Sequence, residues 1–289
     1  MVQEFKGGSK VNNQSTISLD KLKSSKKKIV KSKRELKHTS IILKGFILPI
    51  FIVVLWEFTG ILGLISDTLL PRPSVIFTTF IDLALTGELI GHFQISLLRA
   101  IGGFLLGGTL GLLVGLAVGF SQNIEQTVDP TLQMFRTIPT LAVIPLFILW
   151  FGFGEVSKIL LIAKGAFFPL YVNTFLGIRG VDSKLFAVAK VLEFNRWKQI
   201  TLLILPAALP NILLGLRLSL GVAWLALVAA ELMGSSQGVG YLIMDARQFS
   251  NTSVVFVGII IFAVFGKLSD SIVRVFERRL LKWQDNFQG

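Results

Sequence analysis

Apolar residues in this chain gather into long continuous runs rather than alternating or recurring as a stripe. A helix of roughly 20 apolar residues crosses a hydrocarbon core about 30 Å thick. Read against that length, the runs predict six membrane-spanning helices, at about 45–64, 95–119, 138–154, 156–177, 207–232 and 252–272. The third is interrupted by Pro139 and Pro145, and Gly152 and Gly154 leave it close to the fourth. Barrel strands would alternate in segments of about ten residues, which these runs do not. In the second span Gly103, Gly107, Gly111, Gly115 and Gly119 recur at every fourth position. They form one stripe along which another helix can approach closely, either as fixed packing or as a sliding surface.

Polar segments break the pattern at two informative places. Between the first two spans, Pro71 and Pro73 stop the chain, Ser74 is placed to cap a helix, and Val75, Phe77, Phe80, Ile81 and Leu85 recur at helical spacing. That pattern predicts a short interfacial helix. Between the fourth and fifth spans lies "FAVAKVLEFNRWKQITLLILPAALP", residues 186–210. Leu185, Val188, Ala189 and Leu192 share one helical face while Lys190 and Glu193 point elsewhere, so its first half reads as a short amphipathic helix. Asn195 permits a turn, a second short helix follows from Arg196, and Pro206 and Pro210 punctuate the approach to the fifth span. Such a projection is either a docking element or a return through the interface.

Composition agrees with the pattern: 52% of residues are hydrophobic and 16% charged, with mean hydropathy +0.70. The net charge of +12 does not imply nucleic acid, because of where it sits. Residues 1–44 hold twelve of the 29 Lys+Arg and read as a disordered basic tail attracted to an anionic leaflet. No small-residue cleavage site follows the first span, so that span is expected to stay. With the N-terminus inside, the outer segments keep only Arg72, Lys158 and Arg247. The positive-inside bias therefore places both termini and residues 182–206 in the cytoplasm. The domain plan is a tail at 1–44, a transmembrane domain at 45–272 containing the 182–206 loop, and a cytoplasmic tail at 273–289.

Several chemistries are excluded. The chain has no cysteine and two histidines, His38 and His92, which rules out thiolate and histidine-cluster metal sites. No GxxxxGK[ST] loop is present, nor GxSxG or HExxH, so an enzyme activity of this chain alone is not expected. Ionisable residues inside apolar runs are costly and invite a role. They are Glu57, Arg99, Lys164, Arg217 and Glu231. Each can serve as an inter-helix ion pair or snorkel to a headgroup; alternatively Arg99, Lys164 and Arg217 line an anion path, with Asn173 and Gln94 adding neutral donors and Glu231 closing the fifth span.

From Ala187 to Pro206 the residues follow the spacing AVA, three residues, Glu, nine residues, Leu-x-Leu-Pro. This resembles the EAA loop of permeases of ABC importers. Over about residues 45–280, "LPRPS", "SLLRAIGGF", "IPTLAVIPLFILWFG", "FFPLYVNT", "LPAALPNILLGLRLSLGVAW" and "GVGYLI" are similar to the nitrate/sulfonate/taurine group, and most of all to aliphatic sulfonate permeases. The resemblance implies an all-α membrane protein of six transmembrane helices with the type I ABC importer permease (MetI-like) fold. It also implies a second permease copy as partner, two cytoplasmic ABC ATPase subunits that bind ATP and Mg, and an extracellular or periplasmic substrate-binding protein. No cofactor is expected in this chain itself. The implied substrate is a small organic oxyanion, an aliphatic sulfonate or else taurine or nitrate. The implied ATPase-coupling residues are Ala187, Val188, Ala189, Leu192, Glu193, Asn195, Arg196, Leu205 and Pro206. Ala187 stands where the family has Glu and Glu193 where it has Gly. A self-contained secondary transporter or channel is the alternative from another class.

Overall fold

The computed structural model describes residues 45, 47–281 and 283, so the basic segment 1–44 lies outside the described residues. The chain divides into two compact units, Met1–Ile65 and Ser66–Gly289. The described part of the first holds one apolar helix, α1 (Ile47–Ile61). The second unit runs through α2 (Pro73–Leu85), α3 (Glu88–Phe120), α4 (Gln122–Arg136), a 3-10 turn (Thr140–Val143), α5 (Ile144–Phe151) and α6 (Glu155–Arg179). It continues with α7 (Ser183–Val191), α8 (Arg196–Lys198), a π-helical stretch (Gln199–Ile204), α9 (Leu205–Gly234), α10 (Val239–Gln248) and α11 (Thr252–Leu280). No strand occurs among the described residues.

The glycine stripe is a helix contact. A Cβ placed on Gly107 would lie 2.0 Å from the Ala163 carbonyl oxygen, on Gly111 2.4 Å from that of Phe167, and on Gly115 2.8 Å from that of Tyr171. Gly103 meets Ile162 and Gly119 meets Ile178 at the two ends. Partner numbers rise together, so α3 and α6 run parallel. Parallel neighbours need a connection that travels back along their length, and α4 with the 3-10 turn and α5 makes it, bent by 87°. The bend falls where Pro139 and Pro145 cannot donate to a helix, and α5 ends at Gly152, whose φ of 73° is one that glycine adopts freely.

Among the described residues four helices are long and apolar enough to cross a membrane, or five if the bent pair counts as one span. The bent pair covers the proline-broken third run; the first of the six expected runs corresponds to α1.

On its other side α6 packs against α9 in the opposite sense: Gly165 meets Ala226, Gly177 meets Ala208, and the Ser219 hydroxyl donates to the Ala166 carbonyl at 2.5 Å. Arg196–Gly234 is one continuous helical run. The two prolines therefore do not interrupt it as the sequence pattern predicts. The helix widens to π hydrogen bonding over 199–204, just before Pro206 and Pro210, which have no N–H to give. α11 lies antiparallel to α9, with Trp224 against Phe262 and its indole donating to the Ser269 hydroxyl at 3.0 Å. α11 continues to Leu280, well past the predicted span end at 272.

A helix forms there as expected, α2, but Ser74 does not cap it: Arg72 is the N-cap residue without a side-chain cap bond, and Pro73 supplies a pre-set first turn. Its buried residue is Ile76, while Phe77 and Leu85 are exposed. In lipid, large apolar side chains gain nothing by facing inward, so small residues take the helix contacts and the large ones face out.

Candidate functional site

The five ionisable and polar residues singled out for a path fall into three separate places. Arg99 and Glu231 meet in the interior, each almost wholly buried. One Arg99 terminal nitrogen donates to Glu231 Oε1 at 2.8 Å and to the Gln237 carbonyl at 2.6 Å. Its Nε and other terminal nitrogen donate to the two oxygens of Glu155, each at 2.6 Å. Glu231 also accepts from the Ser96 hydroxyl at 2.8 Å and from the Gly240 N–H at 2.9 Å. Ser96 in turn accepts from the Val239 N–H, and His92 Nδ1 accepts from the Gly238 N–H. The network clamps α3, α6, α9 and the start of α10 together. At Gly238 (φ 112°) the chain passes so close that a Cβ would fall 2.4 Å from Glu231 Oε1, so only glycine fits this turn.

Arg217 lies elsewhere, donating from Nε to Asp270 Oδ1 at 2.6 Å across α9 and α11, where Arg274 also engages Asp270. Lys164 and Asn173 line a third place, an open cavity of about 380 Å³ between α6, α9 and the bend after α4. Its polar lining is completed by Arg136 and Thr140. Lys164 donates to the Ile138 carbonyl at 3.0 Å and stands 5.9 Å from the centre of the Phe168 ring, within cation–π range. The Asn173 amide donates to the Pro169 carbonyl at 2.8 Å. Gln94, on α3, is exposed and not part of this lining.

The loop 182–206 consists of the short helix α7 and the first turns of the continuous Arg196–Gly234 run, each with a defined N-terminus. The Asp182 carboxylate caps α7 by accepting from the Lys184 N–H at 2.9 Å, and the Asn195 side chain caps α8 by accepting from the Lys198 N–H at 2.8 Å. Between them α7 closes with paired 6→1 and 5→2 bonds: the Phe194 N–H donates to the Ala189 carbonyl at 2.9 Å and the Glu193 N–H to the Lys190 carbonyl at 3.2 Å. This closure needs a left-handed residue, and Glu193 takes it, at φ 51°. A non-glycine residue there costs roughly 1–2 kcal/mol. Ala189 is buried, but Leu185, Val188 and Leu192, expected on the same face, are exposed, as are Ala187, Val191 and Trp197. The face is apolar and uncovered in the single chain.

Sequence reasoning missed Glu155, Ser96, Asp270 and Arg136. Both carboxylates carry a signal in the sequence: Glu155 stands between two expected spans and Asp270 inside the last one, near its end. Nothing local marks Ser96, which becomes significant only when α10 brings its N–H groups alongside.

The arrangement is a membrane body with an internal ionic clamp, a cationic cavity and a projecting apolar cap. The chain belongs to the family of binding-protein-dependent transport system inner membrane components, whose family model matches residues 107–282. It is 66% identical over 247 residues to the SsuC protein of Bacillus subtilis (strain 168), described as an aliphatic sulfonates transport permease, covering 86% of this chain and 90% of that one. The corresponding Escherichia coli (strain K12) protein of the same description is 44% identical over 236 residues, covering 82% and 90%. Among solved structures, an amino acid ABC transporter aligns with TM-score 0.59 at 18% identity, covering 69% of this chain and 98% of its own, which shows a shared fold. The chain is thus a multi-pass inner-membrane transport subunit with an ABC permease fold, and not an enzyme.

Proposed function

We propose that this chain is the permease subunit of an ATP-driven importer of aliphatic sulfonates. It works as a pair with a second copy, with two ATPase subunits that bind ATP and Mg on the cytoplasmic side and a substrate-binding protein outside. Two-thirds identity to a relative described as a sulfonate permease supports the substrate class. The basic-residue distribution supports cytoplasmic termini and a cytoplasmic α7–α8 projection. Lys164 and Asn173 lie on the translocation path, whereas Arg99, Glu231 and Arg217 act through the ion pairs that hold its walls.

The observation that carries the reading is the α7–α8 projection: a doubly capped element presenting Val188, Val191, Leu192 and Trp197 to solvent. Lys184, Lys190, Arg196 and Lys198 surround these apolar residues, fitting a partner groove with an apolar floor and acidic rim. A rigid element of this kind passes a partner's movement into α6 on one side and the Arg196–Gly234 helix on the other. Leu192→Asp tests it, since burying an unpaired carboxylate against the ATPase is strongly unfavourable. Substrate-stimulated ATP hydrolysis by the reconstituted assembly is expected to fall at least about tenfold while the permease still reaches the membrane. Full stimulation in Leu192→Asp would show that the ATPase grips the chain elsewhere.

A further inference from the structure

The cavity beside Lys164 has a chemistry that goes past its place on a path. Resting on the sulfonate-import reading, we infer that it is a selective binding site for the alkanesulfonate itself, holding the anionic head at Lys164 and Arg136 and the alkyl chain against an apolar wall. Three observations carry this. First, the charged lining is wholly cationic: Arg136 and Lys164 stand with the neutral Thr140 and Asn173, with no Asp or Glu among the lining residues. Arg136 is exposed and makes no ion pair with the described residues, so its guanidinium is available to an anion. Arg99 and Arg217, by contrast, already hold carboxylates and are spent.

Second, the remaining wall is apolar and comes from two helices: Phe168 and Val172 on α6, Leu218 and Val222 on α9. A small inorganic anion has no use for such a wall, whereas a short alkyl chain does. Third, the volume of about 380 Å³ falls at the lower end of the range of small-molecule sites, roughly 300–1,000 Å³, suited to a sulfonate with a few carbons. The missing carboxylate gives the selectivity its sign. A zwitterionic aminosulfonate would bring an ammonium group beside two cations with nothing to neutralise it, so it is disfavoured against an alkanesulfonate of equal length. The permease then adds a second selection to that of the binding protein.

The test is a titration of the permease–ATPase complex in lipid nanodiscs, without the binding protein, using methane-, ethane-, propane- and butanesulfonate, taurine and nitrate. Affinity is expected to rise along the alkyl series by up to roughly fourfold per methylene. Taurine is expected to bind at least about tenfold more weakly than propanesulfonate, its equal in length, and nitrate at least about tenfold more weakly than butanesulfonate. Lys164→Gln should weaken every sulfonate about tenfold or more while Lys164→Arg restores binding, and Leu218→Asn should flatten the chain-length dependence. Lys164 also ties down the Ile138 carbonyl, so Arg136→Gln, which removes no internal bond, is measured beside it and is expected to weaken head binding alone. Affinities indifferent to chain length and to both cation variants would overturn the inference, as would taurine binding equal to propanesulfonate. If the complete transporter imports butanesulfonate yet shows that indifference, the cavity assignment falls and the import reading stands. If the complete wild-type transporter imports no sulfonate, the import reading itself falls while the titration still decides the cavity.

Discussion

Arg99 shows how a charge can sit inside a membrane protein at tolerable cost. Its guanidinium has all three nitrogens engaged, by Glu155, Glu231 and the Gln237 carbonyl, so no charge is left bare in low dielectric. Removing one member of such a buried pair costs about 3–5 kcal/mol, because the other is left uncompensated. Arg99→Met is therefore expected to lower the thermal unfolding midpoint of the detergent-purified protein severely, and Arg99→Met with Glu231→Met to lower it less than the sum of the two single changes. Additive losses in that double-mutant cycle would show that the pair is not coupled. The charges themselves were legible in the sequence as Arg and Glu within apolar runs. Their pairing was not, since 132 positions separate them and the sequence offers no distance. Glu193 is the opposite case. The sequence shows it as a departure from glycine, and the structure shows what that position demands, a left-handed backbone at φ 51°.

At the scale of elements, small residues decide which helices touch. The repeat from Gly103 to Gly119 was readable from its spacing, but its partner could have been any helix; only the fold assigns it to α6. Gly107→Leu would force side-chain atoms into the Ala163 backbone, while nothing lies within 4 Å of a Cβ at the adjacent-face Gly102. Gly107→Leu is thus expected to abolish the monodisperse purified protein, and Gly102→Ala to change its yield and unfolding midpoint little. Size-exclusion chromatography of the two variants separates the cases, and equal tolerance would mean that α3 and α6 do not approach this closely. Helix existence was the most legible feature, since continuous apolar runs leave few alternatives. The third span and the lead into the fifth were the least, because prolines there produce an 87° bend in one case and a π-helical widening in the other. Sequence marks a proline but not which accommodation its surroundings permit.

At the scale of the molecule, the parts form a sequence of mechanical links. The capped α7–α8 projection joins α6 to the long helix through α9; those two helices wall the cationic cavity; and the ionic clamp at Arg99 ties both to α3 and α10. The projection, α6, α9 and the cavity wall are thus contiguous, the connectivity that the proposed coupling of ATP hydrolysis to access would use. The class of protein was legible in the loop spacing, while the division of the charged residues into clamp, strut and cavity needed coordinates. The central claim is that this chain moves sulfonate only as part of an ATP-driven assembly. The measurement that tests it most directly is uptake of radiolabelled butanesulfonate into proteoliposomes, with this chain alone under an imposed proton or sodium gradient and with the ATPase, binding protein and ATP added. The account predicts no uptake above empty liposomes for the chain alone and ATP-dependent uptake for the full set; gradient-driven uptake by the chain alone would contradict it.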